Sequence, residues 1–114
     1  NSQEMIQKQK DFAYVNNCFV VLKGTYTTIT TPGGNLFINT SGNPGLAKGG
    51  SGDVLTGIIT SLMAQGFSSI DAAICGVYLH GLAADIAVQN TNEYSLVASD
   101  VIQNIAAAIT EIQS

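Results

Sequence analysis

The segment from Asn39 to Gly57 reads N-T-S-G-N-P-G-L-A-K-G-G-S-G-D-V-L-T-G and concentrates the chemistry of this chain. Residues 40–52 hold five glycines and one proline, with no apolar periodicity. Glycines let backbone N–H groups turn toward a ligand with no side chain in the way. An apolar helical pattern begins directly after them, so the loop feeds a helix N-terminus, with its unpaired N–H donors and partial positive charge. Together these make an anion site, most often one for phosphate. Asp53 stands out there, because a carboxylate beside a phosphate site repels the anion. General-base work on a hydroxyl that attacks a phosphoryl group gives the charge a purpose. Service to the helix dipole is the plainer alternative, and the run Gly49-Gly50-Ser51-Gly52 before Asp53 weighs against it.

The elements that must position these residues follow from the apolar pattern. A partial stripe of Met5, Ile6, Phe12 and Ala13 predicts a helix to about Val15. Cys18-Phe19-Val20-Val21-Leu22 predicts a short strand covered on both faces. Tyr26 to Thr31 and Leu36 to Asn39 predict two more strands, with Pro32-Gly33-Gly34-Asn35 as a hairpin turn. Val54, Leu55, Ile58, Ile59, Leu62 and Met63 recur at helical spacing over about 52–65, with Gly66 as the C-terminal stop and Ser68 or Ser69 as the next cap. Ile70, Ala73, Ile74, Val77, Tyr78 and Leu82 line a helix to about Val88. Residues 89–94 form a polar loop. Ser99 and Asp100 open a last helix carrying Ile102, Ile105, Ala106, Ile109 and Ile112. The order predicts an α/β fold with helices covering a sheet.

Two better-known phosphate motifs are excluded. Walker A requires Ser or Thr after Gly-Lys, and Lys48 is followed by Gly49. The dinucleotide fingerprint would place its last glycine at Leu55.

What remains resembles the ribokinase-like enzymes, whose anion-hole motif is Gly-Ser-Gly-Asp at a helix start. The longer string from Asn39 to Gly57 is similar to one branch, the ADP- or ATP-dependent NAD(P)H-hydrate dehydratases. Lys23-Gly24 after an apolar strand and Ser95-Leu96-Val97-Ala98-Ser99-Asp100-Val101-Ile102 also resemble that branch. Leu46 departs from the usual methionine, a swap that keeps volume and apolarity. The family's upstream G-P-G-x-G and P-H-x-G-E segments, which belong to the substrate side, are not in this sequence.

The resemblance implies the C-terminal part of a ribokinase-like three-layer α/β/α sandwich. Residues 1–114 are then expected to be the nucleotide-binding and catalytic portion of one domain whose N-terminal portion lies outside the chain. Lys23, Gly24, Thr25, Tyr26 and Thr27 match the segment lining the adenylate. Asn43, Pro44, Gly45, Leu46, Ala47, Lys48, Gly49, Gly50, Ser51 and Gly52 match the loop around the nucleotide phosphates. Asp53 matches the residue that touches the hydrated nicotinamide and is the expected catalytic base. ADP or ATP is the expected cofactor, with Mg²⁺ beside it, although no protein ligand cluster for a metal is evident. A kinase of a small alcohol and a non-catalytic nucleotide-binding domain remain as alternatives.

Other residues read more plainly. His80 is expected as a packed, hydrogen-bonded histidine. Asp71 and Asp85 are expected as helix surface or cap groups. Lys48 reads equally as a phosphate contact or a solvated side chain, and Asn43 as a ligand contact or a residue that orients the loop.

Composition sets the surroundings. The chain of 114 residues is 46% apolar and only 11% charged, so it suits a piece of a larger core or a subunit that buries surface in an oligomer. Four lysines, no arginine and a net charge of −4 provide no footprint for nucleic acid. No window approaches about 18 consecutive apolar residues, so no membrane helix is expected. No secretory signal is visible, and Asn39-Thr40-Ser41 reads as a chance glycosylation match. Cys18 and Cys75 read as buried reduced thiols of a cytoplasmic protein. A homo-oligomer, or association with the N-terminal half, is expected to cover the apolar strand, and a fused or separate epimerase domain is a possible companion.

Overall fold

The computed structural model of the chain describes residues 2–24, 26–47, 50–89 and 91–113. A first helix, α1 (Ser2–Asn16), leads into three short strands, β1 (Val20–Leu22), β2 (Thr28–Thr30) and β3 (Leu36–Ile38). They form an antiparallel meander in the order β1-β2-β3, with Val21 opposite Ile29 and Ile29 opposite Phe37. The expected turn closes β2 on β3, with Gly34 at φ 91° and its N–H donating to the Thr31 carbonyl at 3.1 Å. A glycine meets that left-handed requirement without steric cost.

Alternation along the strands assigns the two faces of the sheet. Thr28 and Val20 share the face that receives α1. There the buried Gln9 donates to the Val20 carbonyl at 3.2 Å, and its Oε1 accepts from the Thr28 hydroxyl at 3.1 Å. Ile29 and Val21 face the other way, into a core with Leu55, Ala73 and Val77. That second layer is α2 (Ser51–Ala64) packed on α3 (Ser69–Ala87). The result is helix, sheet and helices in three layers, the α/β arrangement that the sequence predicts.

The helix α3 is the axis of the structure. Its buried residues include Ala72, Ala73, Gly76, Val77, Leu79, His80, Gly81, Ala83, Ala84 and Ala87. A helix apolar on nearly all sides belongs inside a core. By length and composition alone it could cross a membrane, with mean hydropathy 1.4, a property that the run-length reading of the sequence missed. Its packing against α2, α4 and α5 explains the apolarity instead. Leu79, Ala83 and Ala87 join Leu96, Val101 and Ala108 in a second core cluster.

Three expectations are corrected. The last helix is two, α4 (Ala98–Gln103) and α5 (Ile105–Gln113). Asn104 interrupts it, with its amide donating to the Asp100 carbonyl at 2.8 Å and its N–H to the Val101 carbonyl at 3.1 Å. Local bonding of this kind competes with helix propagation. The strand at 18–22 lies between α1 and the α2/α3 layer but is not fully buried, since Phe19 and Leu22 are exposed, and β1 has a strand neighbour on one side only in the described sheet. Cys75 is exposed and Cys18 half-buried, not buried as a pair, though both are free thiols.

Candidate functional site

The glycine-rich segment lies between the end of β3 and the start of α2, and α3 supports it from beneath. Asn39 begins the anchoring, its amide donating to Ser41 Oγ at 3.0 Å. The Ser41 hydroxyl in turn donates to the Tyr78 carbonyl on α3 at 3.0 Å. Gly42 turns with φ 103°, and its N–H donates to Asp85 Oδ2 at 2.9 Å. The approach of loop to helix is close enough to require glycine at position 81. A Cβ there would come within 2.6 Å of the Ser41 carbonyl carbon and 2.8 Å of the Gly42 nitrogen.

The chain next makes a single 3₁₀ turn over Pro44–Leu46. Asn43 caps it, its Oδ1 accepting from the Gly45 N–H at 3.0 Å while its amide donates to Asp85 Oδ1 at 3.0 Å. Gly45 is buried beneath the segment after α3, and a Cβ there would meet the Glu93 carbonyl oxygen at 2.8 Å and Leu96 Cδ2 at 2.9 Å. The segment from Glu93 to Ala98 therefore backs the loop from the other side. Asp100 fixes that segment by accepting from the Val97 N–H at 2.9 Å.

Gly50 begins α2 at φ 87° and contributes no side-chain cap. A helix start capped by glycine keeps its first-turn N–H groups clear of side-chain acceptors, which suits a bound anion. Ser51 is buried at 3% exposure. Lys23, just past β1, reaches across to it, with Nζ donating to Ser51 Oγ at 3.4 Å. A Cβ on Gly52 would point into space, its nearest neighbour being Lys23 Nζ at 3.9 Å. Asp53 follows in the first turn with its carboxylate exposed. Backbone donors, one ammonium and one accessible carboxylate thus converge on one end of α2.

Of the residues singled out in the sequence, Lys23, Gly50, Ser51, Gly52 and Asp53 are brought together at that end. Asn43, Pro44, Gly45, Leu46 and Ala47 form the outer part of the loop. Tyr26 is exposed and Thr27 half-buried beside the β1–β2 turn, and Gly24 is exposed in it. Thr25, Lys48 and Gly49 lie outside the described residues. Among the described residues no group of three His, Cys, Asp or Glu side chains could hold a metal.

Two residues turn out differently from, or more centrally than, the sequence reading. Asp85 is no surface group, since it binds the loop through both carboxylate oxygens. The one acidic residue beyond the first turn of a mostly apolar helix, one turn past Gly81, was the available signal. His80 is packed as expected, at 3% exposure, with Nε2 3.3 Å from Ser51 Oγ. Burial pushes its pKa below 6.5, the nearby Lys23 ammonium adds to the effect and a hydrogen bond with the Ser51 backbone opposes it, so the neutral ring is favoured at neutral pH. Asp71 keeps its expected place, its N–H donating to the Ser68 hydroxyl that caps α3.

The sequence model of the family described as NAD(P)H-hydrate dehydratase matches residues 1–107. The chain belongs to that family. It is 42% identical over 95 residues to a bifunctional NAD(P)H-hydrate repair enzyme from Thermofilum pendens, covering 83% of this chain and 18% of that enzyme. Among solved structures it resembles the ADP/ATP-dependent NAD(P)H-hydrate dehydratase of Bacillus subtilis, co-crystallised with ATP and Mg²⁺. The TM-score is 0.90 at 30% identity, over 96% of this chain and 40% of that one. A ribokinase-like superfamily protein from Enterococcus faecalis matches with TM-score 0.81 at 33% identity, over 96% of this chain and 38% of that one. The fold is therefore ribokinase-like, and the chain spans less than half the length of these dehydratase relatives.

Proposed function

We propose that this chain is the C-terminal, nucleotide-binding and catalytic portion of a ribokinase-like domain that repairs hydrated NAD(P)H at the expense of ADP or ATP. The observation that carries the reading is the start of α2, where glycine-capped backbone donors, Lys23 and the exposed carboxylate of Asp53 meet. The names of the relatives and the ATP/Mg²⁺ co-crystal of the Bacillus enzyme support it.

In this reading Lys23, Gly24, Thr25, Tyr26 and Thr27 line the adenylate. Asn43 to Gly52, including Lys48 and Gly49, wrap the phosphates. Asp53 takes the proton of the C6 hydroxyl on the hydrated nicotinamide as that oxygen attacks the terminal phosphorus and the bond to the bridging phosphate oxygen breaks, releasing AMP from ADP or ADP from ATP. The C6–O bond then breaks as the ring-nitrogen lone pair expels phosphate, and loss of a C5 proton to water restores the ring double bond. The protein residues fit a nucleotide better than they fit a metal cage. Mg²⁺ would be held by nucleotide phosphates and water, as this ion commonly is.

The partners proposed are NAD(P)H hydrate, an adenine nucleotide, and either further copies of the chain or the N-terminal portion of the domain. The exposed β1 edge with Phe19 and Leu22, and the exposed Met5, Phe12 and Val15 on α1, support such a partner. A fused or separate epimerase domain accords with the word bifunctional in the Thermofilum name. The free thiols accord with a cytoplasmic location. The experiment is to incubate the complete gene product with hydrated NADH and ADP or ATP and follow the reduced-nicotinamide absorbance. Nucleotide-dependent recovery is expected, and no recovery with either nucleotide would remove the proposal.

A further inference from the structure

Ser51 sits between two groups that both reach its hydroxyl. Lys23 Nζ is 3.4 Å away on one side and His80 Nε2 is 3.3 Å away on the other. An ammonium only donates, so the Ser51 oxygen must accept from Lys23. The single Ser51 proton is then free to point at His80, which can take it only through a bare Nε2. With Nε2 bare, the three side chains would form a directional chain, Lys23 to Ser51 to His80, that starts at the exposed Lys23 and ends in the core of α3.

We propose that His80 is a positioning residue for the phosphate cradle: its Nε2 accepts the Ser51 hydroxyl, and this turns the Ser51 oxygen toward Lys23 and holds the ammonium over the start of α2. The geometry gives the arrangement a use. Lys23 is exposed and its long side chain has many rotamers, whereas Gly52 beneath it offers no side chain to hold it. Ser51 is the fixed point, being buried on the first turn of α2, and His80 fixes the direction of its lone pairs. The burial that disfavours the charged ring favours the form in which Nε2 can accept. His80 itself touches neither nucleotide nor substrate in this account. It acts through Ser51.

The inference rests on the nucleotide reading above, so the test separates the two. Binding of ADP and of adenosine to the complete gene product is measured by calorimetry for wild type, His80→Leu, His80→Gln, Ser51→Ala and the double variant His80→Leu/Ser51→Ala. His80→Leu should weaken ADP by about tenfold, the usual scale of a hydrogen bond to a charged partner, and leave adenosine unchanged. Glutamine offers an acceptor at a similar reach, so His80→Gln should stay within about twofold of wild type. The double variant should lose no more than Ser51→Ala alone, because both remove one chain of bonds. Equal losses for ADP and adenosine would reveal a packing role and overturn the proposal. So would additive losses, or wild-type ADP binding in His80→Leu. If the leucine variant does not fold, His80→Gln and Ser51→Ala decide, and a tenfold ADP loss in a folded glutamine variant overturns it. Wild type that binds no ADP would sink the nucleotide reading itself.

Discussion

Asp85 Oδ1 accepts a hydrogen bond from the side-chain amide of Asn43 at 3.0 Å, across 42 residues of sequence. Its other oxygen takes the Gly42 N–H at 2.9 Å. One half-buried carboxylate on α3 thus fixes both the backbone and the cap of the 3₁₀ turn. Asp85→Ala leaves two donors unmatched, each costing on the order of 1–3 kcal/mol where water cannot replace the partner. We expect a lowered thermal midpoint and weaker ADP binding, with Asp85→Asn intermediate because it retains one acceptor. Wild-type stability and affinity in Asp85→Ala would show that the loop holds its shape without α3.

Gly52→Val tests the cradle directly. The valine side chain would be placed toward Lys23 Nζ, in the space left open at the first turn of α2. A β-branched residue there stands where backbone must approach phosphate. ADP affinity by calorimetry should fall at least about tenfold while the folded protein persists, since nothing but Lys23 lies near that Cβ. Unchanged ADP affinity would place the phosphates elsewhere.

Stability should also report on His80. Its pKa in the folded state lies below the ordinary 6.5, chiefly through burial and then through the Lys23 charge. Below 6.5 the unfolded chain therefore binds a proton that the folded chain does not. Stability should fall as pH drops from that value toward the lowered folded one, and His80→Gln should flatten this part of the profile. Chemical denaturation at neutral and mildly acidic pH measures it, and an unflattened slope in the glutamine variant would mean that other groups set it.

Much of this site was legible in the sequence because its chemistry is local. Gly50 to Asp53 announce a glycine-capped helix start through residue type alone, and the alternation around Ile29 together with the Pro32–Asn35 turn announces the hairpin. The roles of Asp85 and His80 were not legible, since their partners, Gly42, Asn43 and Ser51, are brought to them only when the loop packs on α3. The break at Asn104 was hidden for a related reason. Ile102, Ile105 and Ile109 keep helical spacing across it, and only the bonds from Asn104 to Asp100 and Val101 reveal the interruption. The full burial expected for Cys18 to Leu22 is not reached within the described residues, whose sheet provides a neighbour on one side only, as the shortage of strands in the sequence implied.

Asp53→Asn isolates the general base proposed beside the nucleotide site. The change keeps size and removes the exposed charge at the start of α2. The decisive measurement is the rate of reduced-nicotinamide recovery from hydrated NADH with ADP in the complete gene product, alongside ADP affinity for the same variant. Loss of a general base predicts a rate lower by about 10² to 10⁴-fold. ADP affinity should hold or rise, because one repulsive charge is gone. Turnover at the wild-type rate in Asp53→Asn, with ADP still bound, would contradict the account.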